Sequence, residues 1–315
     1  MQRLYVIGNG FDIHHELPTK YLLFKDYLQR HNRVSYDNFV NSFFCCETEE
    51  DFWKNFEENL SNLDAEKVID DLSDYLPHFS SEFKDRDTGA FGIEVNSFLK
   101  TITSDLKASF IEFIKDAANK GEQEKKLNKI VKDSRFISFN YTSTLEKLYS
   151  VNAKDILYIH GNIYKESEEI ILGHGVNPSE IEFGNYTSNM DDSGLFVENG
   201  WLSCESDLTM MAYNEGANTL MDYYVSSFKN TEKILDENED FFNSLYDIEE
   251  VYVLGHSLSD VDSPYFIRLV KGLPSSAKWY VSYYFEDEKL GNFYKVIDFG
   301  VNEDNIEMIS ISDLE

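Results

Sequence analysis

The chain has 315 residues, and its 28 basic and 58 acidic side chains give a formal net charge of −30, which opposes direct binding to nucleic acid or to an anionic membrane surface. The acids are spread along the sequence, so most belong to a solvated surface. A content of 42% hydrophobic and 15% aromatic residues excludes a disordered chain and suffices for one large α/β domain or a core with a sizeable insertion.

The first element is "LYVIG" (4–8), a short apolar run halted by Gly8-Asn9-Gly10 before helical sequence begins. A strand followed at once by Gly-x-Gly and a helix can turn backbone N–H groups toward a phosphate, because glycine lets a ligand approach and tolerates φ > 0. Without a third glycine, the same turn also serves as an ordinary strand-to-helix connection. Asp12 complicates a phosphate there, since two like charges about 4 Å apart repel by roughly 4 kcal/mol at an effective dielectric of about 20. Asp12 is therefore expected to point away from any pyrophosphate, meeting the helix N–H groups, accepting a ribose hydroxyl or fixing a loop.

From 35 to 130 the texture becomes helical, with "EEDFWKNFEENLSNL" (49–63), "EKVIDDLSDYL" (66–76) and "VNSFLKTITSDLKASFIEFIKDA" (95–117). Phe98, Ile102, Leu106, Phe110 and Phe113 recur at helical spacing and predict one amphipathic face through 95–117. This segment is a helical insertion or cap and a candidate contact surface.

Next, "RFISFN" (135–140) reads as a buried strand delivering Asn140 at its carboxyl end, with Thr142 or Ser143 opening a helix that carries Leu145, Leu148 and Tyr149. Asn140 can present its amide to a ligand or simply cap the turn. "ILYIHG" (156–161) places His160 after another strand, where a near-neutral imidazole suits general-base work and a satisfied structural histidine is the plainer reading. A further strand is expected over 169–175, ending at His174. Residues 176–248 form a second insertion, polar and aromatic at first ("FGNYTSNMDDSGLF"), its latter half reading as a helix pair.

"VYVLGHSLSDVDSPYF" (251–266) repeats the strand, glycine, polar, helix order. Gly255 allows close approach beside His256, Ser257 can contact phosphate or ribose, and Asp260 or Asp262 can accept hydroxyl hydrogen bonds; ordinary capping explains the serines equally. "WYVSYYF" (279–285) and "IEMISI" (306–311) complete the strands. Several strands are apolar at nearly every position, which predicts an α/β fold with a mostly parallel, Rossmann-like sheet covered on both faces. In such sheets the ligand crevice lies at the carboxyl ends of the strands. The core is expected at 1–34 and 131–315.

No run of about 18 apolar residues exists, and the N-terminus reads as a strand without a signal sequence, so a cytoplasmic location is expected. Cys45, Cys46 and Cys204 give neither a paired framework nor a zinc spacing.

The strand ends together, "GNGFDIHHELPTKY", "FNYTSTLEKLY", "IHGN" and "GHSLSD", resemble the sirtuin-like superfamily. More closely, these motifs with "DFWKNFEENL" and "LGHSLSDVDSPYF" resemble the abortive-infection AbiH family of bacterial antiphage proteins over nearly the whole chain. The resemblance implies an NAD site. Gly8, Asn9 and Gly10 would line the phosphate turn beside Asp12, Asn140 would contact the nicotinamide-side ribose or a water, and His160 would be the base. Gly255, His256, Ser257 and Asp260 would hold the adenosine side. The implied reaction cleaves the nicotinamide–ribose bond. The zinc ribbon of protein-deacylating sirtuins has no counterpart, and Asp12 stands where the sirtuin pattern has a small hydroxyl residue. Two other readings remain: a non-catalytic nucleotide sensor whose helical insertion engages a defence partner or a second copy, and a metal-dependent nuclease using Asp12, Asp260 and Asp262.

Overall fold

A computed structural model describes residues 2–43, 48–77, 89–120, 126–165, 169–181 and 207–314. The three cysteines and the stretch expected to be polar and aromatic at 183–196 lie outside the described residues. Among the described residues six strands form one sheet: β1 (Arg3–Ile7), β2 (Arg135–Ser138), β3 (Ile156–Tyr158), β4 (Glu250–Leu254), β5 (Lys278–Tyr283) and β6 (Ile306–Ser310). Every pairing is parallel and the order is β3-β2-β1-β4-β5-β6, that of a doubly wound Rossmann-type fold.

Side chains alternate across the sheet. Leu4, Val6, Ile137, Val251, Val253 and Val281 enter one core, whereas Tyr5, Ile7, Phe136, Tyr252 and Leu254 enter the other. Burial of both faces is why the strands lack polar alternation. Phe136, Tyr5, Tyr252 and Tyr280 lie in register on adjacent strands and stack with centroids 5.1, 5.2 and 4.7 Å apart, each pair adding ~0.5–1.5 kcal/mol beyond its buried area.

The strand expected at 169–175 is absent. The segment instead makes a single parallel bridge, His174 with Phe228, in which the His174 N–H donates to the Ser227 carbonyl at 3.0 Å and Lys229 N–H donates to the His174 carbonyl at 2.8 Å. A Cβ on Gly173 would lie 2.0 Å from the Ser227 oxygen, so the glycine permits this close pairing. The pairing draws Lys229 against the sheet's edge.

Between β1 and β2 run α1 (Asn9–His14), α2 (Tyr21–His31), α3 (Arg33–Ser42), α4 (Glu49–Lys54), α5 (Phe56–Asn59), α6 (Ala65–Asp71), α7 (Ala90–Ile102) and α8 (Ser104–Ala118). Asn32, Thr48 and Asp64 accept backbone N–H bonds that start α3, α4 and α6. The single amphipathic helix expected over 95–117 is split at Thr103, whose φ of −117° and ψ of −90° leave the helical region. After β2 comes α9 (Thr144–Tyr149); before β4 come α10 (Asp207–Ser226), α11 (Thr231–Glu237) and α12 (Glu239–Asn243). The latter half of the second insertion is thus one long helix followed by two short ones. Finally, α13 (Ser263–Gly272) and α14 (Glu286–Asp298) link β4, β5 and β6.

Phe24, Phe39, Trp53, Phe56, Phe91 and Phe110 pack with Leu220 and Tyr223 of α10 in one cluster. Both insertions therefore share a hydrophobic core, each fully buried ring contributing ~1.5–3 kcal/mol. No helix among the described residues is long and apolar enough to cross a membrane.

Candidate functional site

At the carboxyl ends of the strands a cavity of about 530 Å³ opens where the strand order reverses between β1 and β4, the position at which doubly wound sheets bind ligands. All six strand ends reach it: Gly8–Gly10 after β1, Asn140 after β2, His160 after β3, Gly255–Ser257 after β4, Ser282–Phe285 at β5 and Ile311 after β6. Helices α5 and α8 roof it with Phe56, Glu57 and Phe110.

The glycine turn has a different local role from the one expected. The N–H of Gly8 donates to the Leu254 carbonyl at 3.0 Å, that of Gly10 to the Gly255 carbonyl at 2.7 Å, and that of Phe11 to the Gly8 carbonyl at 2.9 Å. The N–H groups of Gly8, Gly10 and Phe11 are thus bonded within the fold. A Cβ on Gly8 would lie 2.5 Å from the His256 Cα, and one on Gly255, at φ +64°, would lie 2.1 Å from the Phe11 nitrogen. Glycine is required because the turns after β1 and β4 interlock. Asn9 lines the cavity, but its side chain clasps Thr19: Nδ2 donates to the Thr19 carbonyl at 3.1 Å, and the Thr19 hydroxyl donates to Oδ1 at 2.6 Å.

Asp12 fixes a loop, the third of its expected roles. Wholly buried, it accepts hydroxyl bonds from Thr142 and Thr144, both at 2.6 Å, tying the β1 turn to the β2 turn. Burial pushes its carboxyl up to about 6, against the hydroxyls that favour the charged form. The Asn140 amide is near enough to favour that charge too, yet neither its nitrogen nor its oxygen makes a hydrogen bond of normal geometry. A buried amide with both polar atoms unmet is costly, on the order of 1–3 kcal/mol, and marks a group held for something else.

His160 is buried, and its Nε2 has no hydrogen-bond partner. Burial first, then the charge of Lys229, holds its pKa well below the ordinary histidine value, which corrects the near-neutral value expected from sequence. His256 is likewise pushed down to about 3 by burial and by Lys229. Its Nδ1 accepts the Leu258 N–H at 2.9 Å, so the neutral ring carries its proton on Nε2, 3.5 Å from Asp262 Oδ2. His160 Nε2 lies 3.6 Å from Asp262 Oδ1. Asp262 lines the cavity, whereas Asp260 is exposed and outside its lining; among the two acids considered, Asp262 is the one that joins the strand ends. Ser257 is exposed at the mouth, and His174 is buried away from the lining with its pKa pushed down to about 4 by burial.

Four residues not singled out by sequence complete the cluster. Lys229, with a side chain wholly inaccessible to solvent, pairs with Glu57 and stands 3.5 Å from Asp262. Burial disfavours its charge, but Glu57 and Asp262 more than offset this and keep its pKa raised. The hydroxyls of Tyr21 and Tyr141 donate to Glu57, the latter at 3.4 Å; burial and Glu57 hold both phenols protonated. Glu57, Tyr21 and Tyr141 sit within "DFWKNFEENL", "PTKY" and "FNYT", beside residues that were read; Lys229 follows α10 in a loop with no local pattern.

Lys229 stands between Glu57 and Asp262, Asp12 is bonded to Thr142 and Thr144, and Asp260 is exposed. Among the described residues no group of three or more His, Cys, Asp or Glu side chains is placed to hold a metal ion, so the carboxylates that the nuclease expectation names do not converge.

The described lining accordingly combines an unmet amide, two neutral imidazoles and buried carboxylates. In comparison with known proteins, the family model for bacteriophage abortive infection AbiH matches residues 4–283. No curated protein and no solved structure gives a match.

Proposed function

The chain belongs to the bacteriophage abortive infection AbiH family, and we propose that within that role it hydrolyses NAD or a related nucleotide at the nicotinamide–ribose bond. One observation carries the reading: the unmet Asn140 amide and the unpaired Nε2 of neutral His160 line one cavity from the adjacent ends of β2 and β3.

Nicotinamide leaves with the electron pair of its bond to the ribose, and positive charge develops on the sugar. The Asp262 and Glu57 carboxylates in the wall stabilise that charge in a low-dielectric setting. Water then attacks the sugar carbon. Asn140 orients the water or a ribose hydroxyl, and His160, unprotonated at neutral pH, takes the water's proton and passes it to solvent. The products are nicotinamide, ADP-ribose and one proton.

Purified protein incubated with NAD under phage-activated conditions should release free nicotinamide, and Asn140→Ala and His160→Ala should each slow release by ~10²-fold or more. No release by wild type, or release by both variants equal to that of wild type, rejects the reading. A second reading, a nucleotide sensor without chemistry, is favoured by the depressed pKa of His160, which makes it a weak base. Nucleotide binding with no product after long incubation would select it.

A further inference from the structure

The turn after β5 carries a feature that the proposed chemistry leaves unused. Tyr284 and Phe285 are 58% and 60% exposed, yet both line the cavity mouth. Their rings meet edge to face with centroids 4.9 Å apart. They are not on a loose loop. The backbone N–H groups of Tyr284 and Phe285 donate to Glu288 Oε2 at 3.1 and 3.2 Å, which locks the turn onto the start of α14.

Two large aromatic side chains on a turn whose backbone is fixed, exposed at a cavity's mouth, offer a ring face on which a flat base can settle, and an aromatic side chain has few torsions to order. The neighbouring lining supplies edge contacts: the Asn292 amide, able both to donate and to accept, and the Ser257 hydroxyl. We propose that Tyr284 and Phe285 form a nucleobase-stacking subsite, the base lying on the face of one ring and meeting the edge of the other, and favouring purines because their larger ring system covers more of that face. The subsite lies on the β4–β5 side of the cavity, across from Asn140 and His160 on the β2–β3 side, so one ligand can place its base on the platform and its ribose over the buried cluster. The inference rests on the nucleotide reading of this site and names which part of the ligand gives selectivity.

The test uses AMP, CMP and ribose 5-phosphate as probes, none of which contains a nicotinamide–ribose bond. Calorimetry on the full chain should find AMP bound at least ~10-fold more tightly than ribose 5-phosphate, as expected for base stacking on aromatics, with CMP between them. Saturation transferred from the protein should reach the base protons of AMP. Tyr284→Ala with Phe285→Ala should abolish the AMP advantage while leaving the melting temperature unchanged, since both side chains are exposed. Equal affinity for AMP and ribose 5-phosphate, no AMP binding, or an undiminished AMP advantage in the double variant overturns the proposal. Base discrimination without nicotinamide release from NAD defeats only the hydrolysis reading; release without base discrimination defeats only this one.

Discussion

Lys229→Met replaces a wholly buried ammonium by an apolar chain of similar length. In the native protein the ammonium pairs with Glu57 and lies 3.5 Å from Asp262; at an effective dielectric of about 20, each such attraction is worth roughly 5 kcal/mol before desolvation is counted. The carboxylates are themselves mostly buried, with side-chain exposures of 18% and 12%. Removing the cation leaves them uncompensated, and breaking one side of a buried ion group typically costs ~3–5 kcal/mol. For a chain of this size the melting temperature should fall by about 5–15 °C. The raised pKa of Lys229 means its stabilisation is fully present at neutral pH and is lost only as pH rises through that alkaline value. Urea and thermal unfolding followed by circular dichroism at pH 7 measure the loss. Adding Glu57→Gln to Lys229→Met should restore a substantial part of it, because one of the two stranded charges is then gone. A loss below ~1 kcal/mol, typical of exposed pairs, or a double variant no more stable than Lys229→Met, refutes the account of a buried charge cluster.

Asp12 makes a pH prediction of the same sense in an acid window. Its folded pKa of about 6, against 3.8 for the free side chain, means the folded state binds the proton more tightly, so wild type should gain stability relative to Asp12→Asn as pH falls from 6 to 4. The full gain is on the order of 3 kcal/mol, and a difference independent of pH argues against it. Asn140→Ala removes two unmet buried polar atoms and should leave thermal stability unchanged or raise it by ~1 kcal/mol; a large loss of stability would show that the amide is structural. Gly255→Ala should destabilise by at least ~3 kcal/mol through backbone strain and the clash with Phe11. Gly291→Ala, in the interior of α14 and facing open space, should stabilise by ~0.5–1 kcal/mol, and denaturation midpoints compare the two.

Much of the sheet was legible because β1 to β4, buried on both faces, are apolar at most positions and lead into glycine, histidine or asparagine. The break at Thr103 was not. Apolar spacing continues through it, but the Thr101 and Thr103 hydroxyls donate to the Phe98 and Leu99 carbonyls at 2.6 and 2.7 Å and compete with the helix's own bonds. Residues 169–175 misled for the converse reason: an apolar run ending in Gly-His-Gly looks like a strand, yet its partner is the 227–229 segment, which no local pattern reveals. Glu57 and Lys229 were missed on similar grounds. A glutamate beside aromatic helix positions normally faces water, and only tertiary packing turns this one toward a lysine 172 residues away.

The interlocked glycines also decide how a dinucleotide would lie. Because Gly10 N–H is bound to the Gly255 carbonyl, a phosphate at that turn would have to break the contact that holds β1 and β4 turns together. The buried lining adds Asp12, Glu57 and Asp262, which repel a phosphate, while the exposed part of the lining carries both signs, Lys20 and Lys54 with Glu58 and Glu288. The cavity is therefore anionic at depth and mixed in charge at the mouth, with aromatic and aliphatic side chains such as Phe56, Phe110 and Phe139 between the polar groups. On the proposed reading, a gradient from an anionic depth to a mixed mouth suits a ligand whose phosphates stay at the mouth lysines and whose sugar becomes cationic inside. Lys54→Glu tests the gradient: placing an acid at the mouth should weaken NAD binding several-fold, more at low salt than at high, while AMP, with a single phosphate, should lose less. Equal losses for both ligands at every salt concentration would show that the phosphates are held elsewhere.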